Sequence, residues 1–169
     1  LSGSAFFFGG DKDKGEPMER AREATDKSIK AAKKAAILEA QAFNAVENAV
    51  AARADAEETW IEVLKAGDRK RMSSIKKDLR RAMDAANDAM VLLEEVVEYT
   101  SQVQDAARSA KKRLKEAMNL KSDHEIERIA EKIEALAEVS EKYVARADRI
   151  CDEMKERWLI PVVSTTTTT

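Results

Sequence analysis

Between Pro17 and Gly67 the chain runs for about fifty residues without an intervening Gly or Pro, and residues 74–120 and 122–160 repeat the feature. Backbone freedom and ring closure are the two commonest ways to end a helix, so their absence over such lengths leaves three long helices as the simplest solution. Long helices zipped side by side hold positions in space. They rarely perform reactions.

Composition agrees. Charged residues make up 37% and aromatics 5% of 169 residues, a profile of coiled coils and long bundles with a thin core. Thirty basic side chains against 32 acidic ones give a net charge of -2, so no global field draws the molecule to nucleic acid or to a membrane surface, and nucleic acid is not expected as a partner. A lone Cys151 excludes an internal disulfide and says nothing about redox compartment. No run of eighteen apolar residues is present, and no basic segment leads into an apolar one at the start, so neither a membrane span nor a signal peptide is expected in these residues. Leu1 to Ala5 reads as a processed or vector-derived start, and Thr165 to Thr169 as a truncated end.

Residues 1–15, with Phe6, Phe7 and Phe8 ahead of Gly9 and Gly10, have no period and read as a flexible tail; residues 162–169 read as a Thr-rich stalk. Between them, residues 16–161 form an elongated, all-α, antiparallel three-helix bundle of coiled-coil type running up, down and up. The first helix is expected to open at Pro17, a residue suited to the first helical position, and to close at Gly67 after Lys65. Its apolar stripe is assigned to Ile29, Ala32, Ala36, Ala40, Phe43, Val46, Val50, Ala54, Ile61 and Leu64. At about 1.5 Å per residue it would be roughly 75 Å long. The second helix follows a short basic connection, with Ser73 or Ser74 as the favoured cap and Asp68 for a tighter turn. Its heptad is the cleanest: Leu79, Ala82, Ala86, Ala89, Leu93, Val96, Thr100, Val103, Ala107, Ala110, Leu114 and Ala117. The third opens on a capping box, Ser122 with Glu125, carries Ile126, Ile129, Ile133, Leu136, Tyr143, Ala147, Ile150 and Met154 with Ser140 between, and stops at Pro161. Short connections make consecutive helices antiparallel. That puts Leu120, Lys121, Ser122 and Asp123 near the start of the first helix and the basic turn beside the carboxyl terminus, with Trp60 and Trp158 at similar heights.

Chemistry has little to stand on. A carboxylate-bridged metal centre in a bundle needs Glu-x-x-His pairs on several helices, and His124 is the only histidine. Catalysis of the Ser-His or Cys-His kind is confined to that same position, so no catalytic residue, metal or cofactor is expected. Cys151 reads as a small, partly buried core neighbour. The local charge asymmetry lies in residues 65–81, where Lys65, Arg69, Lys70, Arg71, Lys76, Lys77, Arg80 and Arg81 face only Asp68 and Asp78. Such a cluster either is simply solvated or meets anionic headgroups; without interleaved aromatics it makes a poor nucleic-acid surface.

The Ala- and Glu-rich segments KAAKKAAILE (30–39) and AVENAVAARADAEE (45–58), followed by the terminal Ser-Thr run, resemble the insect-stage surface coat proteins of African trypanosomes. The resemblance covers residues 17–169 and rests on composition and architecture. It implies a non-enzymatic protein at the cell surface, tethered to the outer face of the plasma membrane by a carboxyl-terminal glycolipid and packed among neighbouring coat proteins. Ser164, Thr165, Thr166, Thr167, Thr168 and Thr169 would then begin a stalk able to carry O-linked sugars. Leu120, Lys121, Ser122 and Asp123 would form the loop facing away from the membrane, and Arg69, Lys70 and Arg71 the turn facing it. The chain departs from the related variant coat proteins in having no disulfide, no Asn-x-Ser/Thr acceptor and no outer lobe. Two other readings compete: a soluble lipid- or membrane-surface-binding bundle, tested by liposome binding, and an intracellular coiled-coil scaffold, tested by stable oligomerisation.

Overall fold

The computed structural model describes residues 12–158, with side chains from residue 15 onward. They form three helices: α1 (Lys12–Ala66), α2 (Arg69–Met118) and α3 (Asp123–Trp158), and no strand occurs among the described residues. The phenylalanine tail, Pro161 and the Ser-Thr run lie outside them.

α1 begins at Lys12, ahead of the expected start at Pro17. A proline this close to the end deprives the helix of one hydrogen bond only, to the carbonyl of Asp13, and its fixed φ is already helical. The close of α1 follows expectation. Gly67 has φ 65°, and its N–H reaches the Leu64 carbonyl (3.2 Å) while that of Asp68 reaches Val63 (3.3 Å), the paired bonds of a Schellman motif. α2 starts at once: Asp68, and neither Ser73 nor Ser74, is the cap, its side-chain carboxylate accepting from the Arg71 N–H at 3.4 Å. The connection is therefore shorter than the sequence suggests. At the other turn Ser122 caps α3 as expected, with Glu125 N–H on its hydroxyl (3.4 Å) and Ile126 N–H on its carbonyl (3.0 Å). A Gly67→Ala change places a Cβ in open space but at positive φ, so it should cost about 1 kcal/mol, read as a lower unfolding midpoint without loss of helicity.

The chain divides into two compact units, each drawing on all three helices: Leu1–Ala36 with Tyr99–Arg146, and Ile37–Glu98 with Ala147–Thr169. In the first, Ile133 is enclosed by Ala21, Ala24, Ala110, Ala130 and Ala137, with Leu114, Ile129 and Leu136 around them. Arg20 of α1 bonds Glu127 and Glu134 of α3, and Tyr99 of α2 stacks on Tyr143 of α3 at 5.5 Å. In the second, Ala49, Ala86 and Ala89 pack with Val46, Val50 and Trp158. Leu38 meets Cys151 there, Asn48 meets Trp158, and Asp88 meets Arg157. Partners on α1 and α3 rise together in number. Those on α2 and α3 run opposite ways. The up-down-up order follows within each unit.

The buried row of α1 differs from the expected one. Ala21, Ala24, Ser28, Ala31, Ala35, Leu38, Ala42, Ala45 and Ala49 are all at most 7% exposed and alternate three and four residues apart. Phe43, Ile61 and Leu64, assigned to the core from sequence, are 48%, 49% and 47% exposed. Small residues let both partners approach α1 closely, and the volume is filled from the other side, by Val96 and Val103 of α2 and Ile126, Ile133 and Met154 of α3. The α2 heptad appears as expected, its members buried or half-buried. On α3 the fully buried row is Ile126, Ala130, Ile133, Ala137, Ser140, Val144, Ala147, Cys151 and Met154, with Ile129, Leu136, Tyr143 and Ile150 at its edge.

Candidate functional site

The register of α3 decides what α1 and α2 leave bare. Asn48 donates its side-chain amide to the Trp158 carbonyl at 2.9 Å, and Arg157 holds both Asp88 (3.3 Å) and the Trp158 ring (4.3 Å to the centroid). These contacts place the last described turn of α3 level with Asn48 and Asp88. Gly67 lies 19 residues further along α1, roughly 28 Å at the helical rise. Trp158 is thus far from the turn, and also from Trp60, so the two indoles do not share a height. Beyond Ala49 the α1–α2 hairpin has no third helix against it among the described residues. Ala52 is exposed, Ala56 and Thr59 are half-buried, and Val63 alone is closed off at 2%.

The basic cluster sits on this hairpin. Arg69, Lys70 and Arg71, read from sequence as a connecting turn, are instead the first residues of α2, because the Asp68 cap ends the turn early. All three are exposed, as are Lys65, Lys76, Lys77, Arg80 and Arg81. Seen down the axis of α2, Arg69, Lys70, Lys76, Lys77, Arg80 and Arg81 fall within an arc of about 140°, opposite the half-buried Met72, Ile75, Leu79 and Ala82. Residues 65–81 carry eight positive and two negative charges, a balance of +6, leaving -8 for the rest of a chain whose total is -2. The first turn of α2 has no acidic residue, so three cations face the positive end of its dipole. Ile61 and Leu64, about half exposed, stand close by on α1.

The other expected site is plainer. Leu120 is half-buried, Lys121 and Ser122 are exposed, and Asp123 already begins α3. Glu16 and Pro17 line one surface hollow with Asp123, His124 and Glu127, which brings this loop to the start of α1 as the topology requires. Ser164 and Thr165 to Thr169 lie outside the described residues.

No other feature assembles chemistry. Among the described residues no three His, Cys, Asp or Glu side chains converge as metal ligands. Cys151 is a full core member, 1% exposed, its thiol donating to the Leu38 carbonyl at 3.2 Å; burial, with Asp148 nearby, pushes its pKa up to about 11. Such a thiol is a poor nucleophile. An open hollow of about 390 Å³ lies over the ion pair of Arg20, flanked by Glu23, Lys27, Glu134 and Glu138. The Arg20 guanidinium grips Glu134 through two bonds (2.7 and 3.1 Å) and reaches Glu127 at 3.2 Å. That bonding raises the pKa of Arg20 and lowers that of Glu134. A lowered carboxylate stabilises the fold above its unfolded pKa, and the contribution is lost as pH falls through the folded value. Arg20→Ala should therefore cost up to about 1 kcal/mol at neutral pH, both partners being over a third exposed, with the difference from the parent fading in an acid denaturation series as pH falls below the usual carboxylate range.

No helix among the described residues is long and apolar enough to cross a membrane. Comparison with known proteins finds no matching family, curated protein or solved structure.

Proposed function

We propose that this chain is a non-enzymatic surface coat protein, tethered at its carboxyl terminus and packed in a layer that shields the membrane beneath it. The observation that carries the reading is the alanine-lined seam of α1. Nine positions from Ala21 to Ala49 bury eight Ala or Ser side chains and one Leu, so each unit has a narrow cross-section for its three helices. A narrow cross-section is what dense side-by-side packing demands, and exposed charges of both signs keep neighbours from fusing. In composition the chain resembles the glutamic acid/alanine-rich protein of Trypanosoma congolense, an insect-stage coat protein. In that setting the loop Leu120 to Asp123 faces outward, the hairpin at Arg69, Lys70 and Arg71 faces the lipid, and Ser164 to Thr169 lead to the anchor.

The test is made on intact cells expressing the full precursor. Surface biotinylation followed by phosphatidylinositol-specific phospholipase C should label the protein and release it into the medium. Protection from the reagent, or retention after the lipase even in a high-salt wash, would overturn the reading; a stable intracellular oligomer would favour the scaffold instead.

A further inference from the structure

We propose that the bare α1–α2 hairpin is itself a membrane-docking surface, binding bilayers rich in anionic headgroups through its cationic face and seating Ile61 and Leu64 at the headgroup boundary. The coat reading supplies only the orientation of the hairpin toward lipid. The affinity belongs to the chain alone.

Three independent features converge here. The first is charge: six cations of α2 occupy one arc over residues 69–81, a length of roughly 18 Å, and among the described residues no ion pair engages them or Lys65 or Arg71. The second is the position of Arg69, Lys70 and Arg71 in the first turn of α2, where the Asp68 cap is the one carboxylate beside three cations that oppose the helix dipole, so that phosphate groups near them would offset their charge. The third is apolar: Ile61 and Leu64 are half exposed on the same arm, where α3 does not reach. A lipid interface offers those side chains a place that nucleic-acid phosphates do not, which decides between two polyanions.

Each cation near an anionic surface adds to binding, so the sum over the arc supports reversible, salt-sensitive association. The purified full chain should co-sediment with phosphatidylcholine vesicles containing about one-third phosphatidylserine and not with pure phosphatidylcholine, and the bound fraction should collapse as salt is raised. The quadruple change Lys76→Glu, Lys77→Glu, Arg80→Glu and Arg81→Glu touches only exposed positions and should weaken binding at least about 100-fold with an unchanged helical spectrum. Ile61→Ser with Leu64→Ser should leave low-salt binding in place and make the bound fraction collapse at a lower salt concentration than in the parent. Equal binding to both vesicle types, no binding at low salt, or preferential capture of a nucleic-acid duplex over vesicles would overturn the proposal. None of these results alters release by the phospholipase, so the coat reading stands or falls separately.

Discussion

Ala42→Leu should destabilise the protein by about 1–3 kcal/mol or more, whereas Phe43→Ala, one residue away, should change stability by less than about 1 kcal/mol. The contrast reverses what residue size alone suggests. Ala42 is fully buried in the seam of α1, where every heptad neighbour but Leu38 is Ala or Ser, so a leucine there forces the helices apart. Phe43 is 48% exposed and releases little burial when cut back. Urea unfolding followed by circular dichroism measures both; near-equal losses would mean that Phe43 is part of the core and the seam assignment is wrong.

Ile133→Ala should have a larger effect still, about 3–5 kcal/mol, at the upper end for such truncations. The cost of a cavity depends on how far its walls relax. Here the side chain, fully buried, is walled by Ala21, Ala24, Ala110, Ala130 and Ala137, which have no rotamers with which to fill the void. Ile129→Ala, at a half-buried position beside the same cluster, should cost distinctly less. Melting temperatures of the two variants against the parent give the comparison.

Why α2 was readable from sequence, α3 in part and α1 not follows from the same packing. In α2 the larger apolar residues and the alanines share one row, so Val96, Thr100, Val103 and Ala107 mark the seam whichever property is weighed. On α3 the expected Ile126, Ile133, Ala147 and Met154 are in the buried row, but Ile129, Leu136, Tyr143 and Ile150 lie at the edge, and Ala130, Ala137, Val144 and Cys151 complete the row instead. α1 carries two apolar rows, and the one with the bulkier side chains, through Phe43, Ile61 and Leu64, is the exposed one. Hydrophobicity ranks them in the wrong order because it counts area and not the fit between facing helices. The hairpin was legible as a charge cluster but not as a projecting surface, since its bareness depends on where α3 ends against Asn48, a contact 110 residues apart. Nothing in the local spacing records that distance. The Asp68 cap was ranked behind Ser73 and Ser74 for a smaller reason: Gly67 and Asp68 suffice for the whole turn, and the basic residues that looked like a loop are helical.

The docking surface depends on α1 and α3 running parallel in this register, because that is what leaves the hairpin without a third helix among the described residues. Spin labels at Asn44→Cys and Glu156→Cys, both exposed, test it by dipolar distance measurement; Cys151 can remain, buried and with its thiol pushed up to about 11. With Trp158 at Asn48 the labelled residues lie nearly level on adjacent helices, and the distribution should centre below about 25 Å. A centre beyond about 35 Å would mean that α3 has slid along to cover the hairpin, and would contradict the account.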